Sequence, residues 1–274
     1  MKFYSPATEQ EALELRSRFG SRAKPLAGGT DLLISVRTAG WPEAVLSLRH
    51  LGWAGIVREQ GATRIGATTT ASAIARELRT TLPLLADAAS WVGGPQVRNR
   101  ATIGGNLANG SPAADMALCL LVMDAQVELV SLRGSRRLTV GEFVRGPKTT
   151  ALADDEFVRS VTVPAPDATS RAWFGKVGPR SRHFISRVVV AGLVGRRGDS
   201  LRLGLGAVAP TPVRARNAER FAASQLVLSD ETIEEISRLA AEECRPIDDF
   251  RATGGYRRRI VRVLVTRFLR EVRA

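Results

Sequence analysis

Metal-ligating side chains are scarce in this chain. Its 274 residues include two cysteines, Cys119 and Cys244, and two histidines, His50 and His183. An iron–sulfur cluster takes about four thiolate ligands, so this chain alone is not expected to hold one, and neither histidine has metal-site spacing. The cysteines lie far apart in sequence, and a disulfide is not expected in a cytoplasmic protein. There is no G-x-S-x-G elbow and no P-loop. The longest apolar run, Met116 to Met123, falls far short of the roughly 20 residues of a membrane-spanning helix. Met1 to Ser21 lacks the basic segment and apolar block of a signal peptide. A cytoplasmic location is the expectation, and any redox chemistry has to come from an organic cofactor.

Lysine is also rare: Lys2, Lys24, Lys148 and Lys176 are the only four, and the net charge of +13 is carried by arginine. The arginines are scattered in small groups, such as Arg98 with Arg100, Arg136 with Arg137, Arg196 with Arg197, and Arg257 to Arg259. They form no basic arm, and aromatics are only 5% of the chain, so nucleic acid is not the expected partner. A solvated basic surface, or one that faces an acidic partner subunit, fits better.

The hydrophobic pattern gives the order of elements. Glu9 to Phe19 reads as a helix, with Ala12, Leu13, Leu15 and Phe19 near one face. Lys24 to Ala27 reads as a strand, followed by a helix that starts near Thr30 and Asp31 with Leu32, Leu33 and Val36 toward the core. A strand at Ala44 to Leu48 completes a first lobe of about residues 1–51. The second lobe, about 52–168, has strands near Ile56 to Arg58, Arg64 to Ala67, Gln126 to Leu132, Arg137 to Leu138 and Phe157 to Val163. Its helices are Thr70 to Leu78, Pro83 to Ser90 and Asp115 to Met123. The polar segment Pro164 to Ser170 is the candidate linker. Residues 169–274 then carry three strands, Ala172 to Val177, Arg187 to Val194 and Leu201 to Ala209, with a turn at Gly198-Asp199. Three helices follow, at Arg214 to Ala223, Asp230 to Glu242 and Tyr256 to Val272. The fold class is α+β, and the C-terminal domain has a three-stranded antiparallel sheet with helices.

Two glycine-containing segments stand out. The first is Lys24-Pro25-Leu26-Ala27-Gly28-Gly29-Thr30-Asp31-Leu32-Leu33, a strand running into a helix. Glycines let backbone approach a ligand, and free amides at a helix start favour phosphate. Asp31 is awkward beside a phosphate and reads as a helix-capping or first-turn group. An ordinary strand–turn–helix connection has the same appearance. The second segment runs from Gly93 to Asp115 and includes Thr102-Ile103-Gly104-Gly105-Asn106 and Asn109. It reads as a long ordered loop, a form that calls for a functional reason. Thr102, Asn106 and Asn109 offer hydrogen bonds to ribityl or phosphate oxygens. Asp115 suits a ribityl hydroxyl or, equally, the N-terminus of its own helix. Neither segment fits G-x-G-x-x-G. Backbone amides near residues 28 and 104 that clasp one diphosphate from two sides are the expected arrangement.

Ala27-Gly28-Gly29-Thr30-Asp31-Leu32-Leu33 and Ala101-Thr102-Ile103-Gly104-Gly105-Asn106 together resemble the FAD-binding medium subunit of the molybdenum hydroxylases, the xanthine and carbon monoxide dehydrogenase type. Phe3-Tyr4-Ser5-Pro6, Ile65-Gly66-Ala67-Thr68-Thr69, Pro95-Gln96-Val97-Arg98-Asn99 and Ser111-Pro112-Ala113-Ala114-Asp115 extend the resemblance in order. So do Lys176-Val177-Gly178-Pro179-Arg180 and Pro246-Ile247-Asp248-Asp249-Phe250-Arg251-Ala252. The resemblance implies a two-lobed FAD-binding domain of the vanillyl-alcohol oxidase (PCMH) type over 1–168 and a carbon monoxide dehydrogenase flavoprotein-type C-terminal domain over 169–274. It carries FAD contacts onto Lys24, Pro25, Leu26, Ala27, Gly28, Gly29, Thr30, Asp31 and Leu32. It also carries them onto Thr102, Ile103, Gly104, Gly105, Asn106, Asn109 and Asp115. Val158 and Lys176 are implied near the isoalloxazine ring, where a cation would favour reduced flavin. No catalytic residue and no metal ligand is assigned.

The resemblance further implies an oxidoreductase subunit that receives electrons from two [2Fe–2S] clusters on a small partner and passes them through FAD to an external acceptor. A large molybdopterin-binding subunit completes the expected assembly, a dimer of heterotrimers. The main alternative is a stand-alone FAD-dependent reductase on the same fold, and the sequence offers no proton donor placed by motif for it. A non-catalytic scaffold would leave the glycine segments without a purpose.

Overall fold

The computed structural model describes residues 1–167, 169–179, 184–195, 200–225 and 227–273. Arg180, His183, Arg196, Arg197 and the turn expected at Gly198-Asp199 lie outside the described residues.

The chain begins with a three-stranded parallel sheet. β1 (Lys2–Tyr4) and β2 (Ala23–Leu26) flank β3 (Ala44–Ser47), so the order is β1-β3-β2. α1 (Glu9–Phe19) starts where the Thr8 hydroxyl accepts from the Glu11 amide, and it buries Ala12, Leu13 and Phe19. This is the reciprocal use of a polar cap and an apolar stripe. Buried Arg16 ties α1 to its surroundings by donating to the carbonyls of Gly20, Ala23 and Glu156.

α2 (Leu32–Ala39) differs from expectation. It has no buried residue, and Leu33 and Ile34 are 48% and 67% exposed. Leu32, Leu33 and Val36 therefore do not point into a core. The apolar spacing is helical, but a helical period does not say whether a surface is available behind it.

A second sheet follows, antiparallel, in the order β4-β5-β10-β6-β7. Its strands are β4 (Ile56–Glu59), β5 (Ala62–Gly66), β6 (Gln126–Ser131), β7 (Gly134–Thr139) and β10 (Phe157–Pro164), the last bulged between Val158 and Ser160. α3 (Ala71–Glu77), α4 (Pro83–Ser90) and α7 (Asp115–Val122) bury Ile74, Leu85 and Leu118 in the same core as Ile65 and Val161 of this sheet. The stretch expected as one long loop contains two short helices. α5 (Pro95–Arg98) has proline at its first position, and α6 (Ile103–Ala108) is capped by Thr102. Both starts are favourable, and they override the glycine and asparagine content around them. α8 (Val140–Phe143) and the small hairpin β8 (Val144–Gly146) with β9 (Thr149–Thr150) complete this lobe.

The last sheet is antiparallel, in the order β11-β12-β13-β14. The three expected strands are β11 (Arg171–Val177), β12 (Val188–Val194) and β13 (Arg202–Gly206). A two-residue fourth strand, β14 (Val213–Arg214), adds to the edge. α9 (Arg216–Ala223), α10 (Asp230–Glu242) and α11 (Gly254–Arg273) cover one face. β12 is buried throughout. Val188, Val190 and Val194 face the core with these helices, while Val189, Ala191 and Leu193 face the core shared with α4 and α7. Side chains alternate across a strand, so one strand serves two cores and joins the C-terminal domain to the second lobe. Close seating helps: a Cβ on Gly204 would lie 2.4 Å from Val122 Cγ2.

Candidate functional site

The two glycine segments meet. Gly28 lies against the backbone of the other segment so closely that a Cβ there would sit 1.7 Å from the Arg100 carbonyl oxygen. No side chain fits, so the contact depends on glycine. Gly29 turns the chain with φ +77°, and the Leu33 amide then bonds to the Gly29 carbonyl at 2.9 Å. Among the described residues, the amides of Gly28, Gly29, Thr30 and Asp31 donate to no protein acceptor. A run of unused donors at a helix start, half-buried at Gly28, Gly29 and Thr30 and exposed at Asp31, suits an anionic group.

The second segment has a different part to play. The Ile103 amide donates to Thr69 O at 3.1 Å and the Gly104 amide to Ala67 O at 2.9 Å. The Gly105 amide donates to the Thr102 hydroxyl at 3.1 Å. These amides serve the protein, which corrects the expectation that both segments clasp a diphosphate with free N–H groups. Gly104 is required for packing, since a Cβ would lie 2.7 Å from Ala67 Cβ. The second segment backs the first and fixes where it sits.

Side chains carry the link further. Asp31 stands at the N-cap of α2 but makes no side-chain capping bond, so the capping role expected for it is not observed. Its Oδ1 instead accepts from Asn109 Nδ2 at 2.8 Å, and Asn109 Oδ1 accepts from Lys148 Nζ at 2.7 Å. Asn106 Oδ1 accepts from the Ala117 amide at 3.2 Å and so caps the first turn of α7. Lys24 is exposed beside the segment, and Pro25, Leu26, Ala27, Thr30 and Leu32 are half-buried.

A second group lies at the start of α7. Lys176 of β11 places Nζ 2.6 Å from Asp115 Oδ2, with their side chains 3% and 6% exposed. The Ser186 hydroxyl donates to Asp115 Oδ1 at 3.0 Å, and Lys176 also donates to the Trp91 carbonyl at 3.3 Å. The Lys176 ammonium lies 5.1 Å from the Phe184 ring centroid. Burial pushes the Asp115 carboxyl above the usual carboxylate range, and the ammonium and both hydrogen bonds oppose that rise. Asp115 and Lys176 are thus brought together as a pair. The side chain of Val158, in contrast, is 5% exposed and belongs to the core with Ile103 and Leu107. Nothing in the sequence points to Ser186. Lysine rarity was the one available signal for Lys148.

A cavity of about 370 Å³ opens elsewhere, between the second lobe and the C-terminal sheet, lined by residues such as Thr63, Leu84 and Leu193. It shares no residue with the glycine segments. The two cysteines sit in separate cores. Burial pushes the Cys119 thiol well up and the Cys244 thiol to about 12.

Comparison with known proteins bears on this geometry. Residues 1–166 match the family described as the FAD binding domain in molybdopterin dehydrogenase, and residues 174–272 match the CO dehydrogenase flavoprotein C-terminal domain. The chain is 33% identical to the xanthine dehydrogenase FAD-binding subunit of Escherichia coli O157:H7, over 98% of this chain and 94% of that protein. It is 30% identical to the glyceraldehyde dehydrogenase medium chain of Sulfolobus acidocaldarius, over 96% and 95%. The solved carbon monoxide dehydrogenase of Hydrogenophaga pseudoflava contains a chain that superposes with a TM-score of 0.93 at 29% identity, covering 97% of this chain and 95% of that one.

Proposed function

The chain belongs to the FAD-binding medium subunits of the molybdenum hydroxylases, and on that premise we propose that it is the electron-exit subunit of a heteromeric enzyme. It is an oxidoreductase subunit with an FAD-binding domain. Bound FAD would supply the redox chemistry, taking electrons that originate at [2Fe–2S] clusters of a small partner and yielding them to an external acceptor. The cofactor-holding domain is assigned to 1–168, with lobes near 1–51 and 52–168, and the C-terminal domain to 169–274. Molybdopterin and the clusters are assigned to a large and a small partner subunit, arranged as a dimer of heterotrimers, with the arginine-rich surface available to acidic partners.

One observation carries the cofactor assignment. Gly28 rests on the Arg100 carbonyl while the Gly28 to Asp31 amides stay unused by protein. The residues present fit a diphosphate: the amides and the positive end of the eight-residue α2 would hold its charge. Thr102 and Gly104 keep the second segment in place behind them. On the ring side the candidate side chain is Lys176, and Val158, whose side chain lies in the core, would have only its backbone to offer. Asp115 and Ser186 keep the Lys176 ammonium in a fixed place, so that a cation is presented without reorganisation. Among the described residues, no helix is long and apolar enough to cross a membrane.

The stand-alone reductase reading gains no support, because full-length similarity is to chains named as FAD-binding subunit or medium chain. The test is isolation of the tagged full chain from its native host. A flavin spectrum, with a molybdopterin-binding chain and a [2Fe–2S] chain in the same complex, is the expected result. A free FAD-loaded monomer would sink the heteromeric assignment, and a protein that takes up no FAD would sink the cofactor assignment.

A further inference from the structure

We propose that Lys148, through Asn109, is a positioning residue for the flavin nucleotide. Three side chains form a relay that spans the site from its far side. Lys148 Nζ donates to Asn109 Oδ1 at 2.7 Å, and Asn109 Nδ2 donates to Asp31 Oδ1 at 2.8 Å. The direction of the relay is fixed by chemistry. An ammonium can only donate and a carboxylate can only accept, so the Asn109 carboxamide has one orientation that satisfies both neighbours.

The backbone around Lys148 is arranged to deliver that amine. Lys148 lies in the turn between β8 and β9 with φ +59°, a conformation uncommon for a residue with a side chain. Its amide donates to the Gly110 carbonyl at 2.8 Å, and Gly110 itself has φ +56°. A Cβ on Gly110 would sit 3.1 Å from the Thr149 amide nitrogen. The hairpin tip is therefore pressed against the segment that carries Asn109. A left-handed lysine kept at such a contact is local strain associated with a site.

What depends on the relay is the start of α2. That helix has no buried residue, so packing into a core does not hold it. The described contacts that hold its N-terminus to the second segment are the Gly28 seat and the Asp31–Asn109 bond. Without the Lys148 amine, the oxygen end of the Asn109 carboxamide loses its anchor, and the Asp31 bond has to hold that side chain alone. A carboxylate held less firmly can turn toward the unused amides, where it either repels a phosphate or competes with it for the same donors. Lys148 thus keeps the one acidic group of the glycine segment engaged and away from the cofactor. This inference rests on the reading that FAD binds here.

The experiment measures FAD affinity of the full chain by flavin fluorescence after removal and return of the cofactor. Lys148→Met removes the amine and keeps the side-chain bulk. Lys148→Gly removes the amine and relieves the backbone, so it separates strain from charge. Both should bind FAD about fivefold more weakly, the scale of an exposed charge-assisted contact, Lys148→Met with unchanged melting temperature, and Lys148→Arg should bind close to wild type. Asp31→Asn provides the decisive cycle. An amide at position 31 carries no charge to repel a phosphate or compete with it, so the anchoring of Asn109 no longer matters, and adding Lys148→Met to Asp31→Asn should then change affinity by less than about twofold. Lys148→Met and Lys148→Gly proteins that bind like wild type overturn the inference, and so does an equal loss in both backgrounds. A wild-type chain that takes up no FAD overturns the flavin reading and this inference with it. Wild-type binding with unaffected variants overturns this one alone.

Discussion

Lys176 and Asp115 form a buried ion pair, Nζ to Oδ2 2.6 Å, that joins the first strand of the C-terminal sheet to the first turn of a helix in the second lobe. Removing one member of such a pair strands the other charge away from water, which typically costs about 3–5 kcal/mol. Lys176→Met should lose stability on that scale in denaturant unfolding. The double variant Lys176→Met with Asp115→Asn should be clearly more stable than the sum of the single losses predicts. Additive losses would show that the two groups do not act as a pair.

The same pair sets a pH dependence. Burial raises the Asp115 carboxyl above its unfolded value, and a raised acid favours the folded state at low pH, where it is protonated in both states. Stability from this group falls as pH rises through its folded value. Lys176 opposes the rise, so Lys176→Met raises the carboxyl further. The deficit of Lys176→Met relative to wild type should therefore be small in acid, where Asp115 is neutral, and grow as pH climbs through the carboxylate range and beyond. Unfolding free energies across that range check this. A deficit that shrinks toward neutral pH contradicts the assigned pairing.

Gly28 provides a test of the proposed cofactor seat that does not depend on charge. A methyl group there would overlap the Arg100 carbonyl, 1.7 Å away, so the two segments must separate. Overpacking of this kind costs about 1–3 kcal/mol. Gly28→Ala should lose that much stability and bind FAD at least about tenfold more weakly, because misplaced donors forfeit their preorganisation. Affinity by flavin fluorescence and stability by denaturant, measured on the same sample, distinguish the two effects. Wild-type affinity in this variant would mean that the seat is not part of the cofactor site.

Much of this molecule is legible from sequence where local chemistry is decisive. α1, α4 and α10 keep their expected bounds because Thr8 and Ser229 cap two of them and Pro83 opens the third. The buried strand β12 is announced by its run of valines, although only the fold shows that its alternate residues serve two cores. The Gly93 to Gly110 stretch misleads because composition is a weaker signal than the helix starts at Pro95 and Thr102. That the two glycine segments belong together is readable, but the division of labour between them is not. Whether an amide is free depends on carbonyls such as Ala67 and Thr69, which come from elsewhere in the chain. Lys148 escapes for the same reason, since its partner Asn109 is brought near by the folded hairpin.

α2 permits a last test, of the one element whose packing the hydrophobic pattern misstates. Its spacing of Leu32, Leu33 and Val36 describes an apolar stripe, yet none of its residues is buried and Ile34 is 67% exposed. If the helix stands free of the core, replacing Ile34 with a charged residue removes no burial and creates no cavity. Ile34→Glu should then alter unfolding stability by no more than about 0.5 kcal/mol, as surface changes do. Leu46, fully buried in the neighbouring sheet, provides the contrast, and Leu46→Ala should cost about 2–5 kcal/mol. A large loss in Ile34→Glu would mean that α2 docks on the first lobe after all, and that its N-terminal amides are held by core packing as well as by the Gly28 seat and the Asn109 bond.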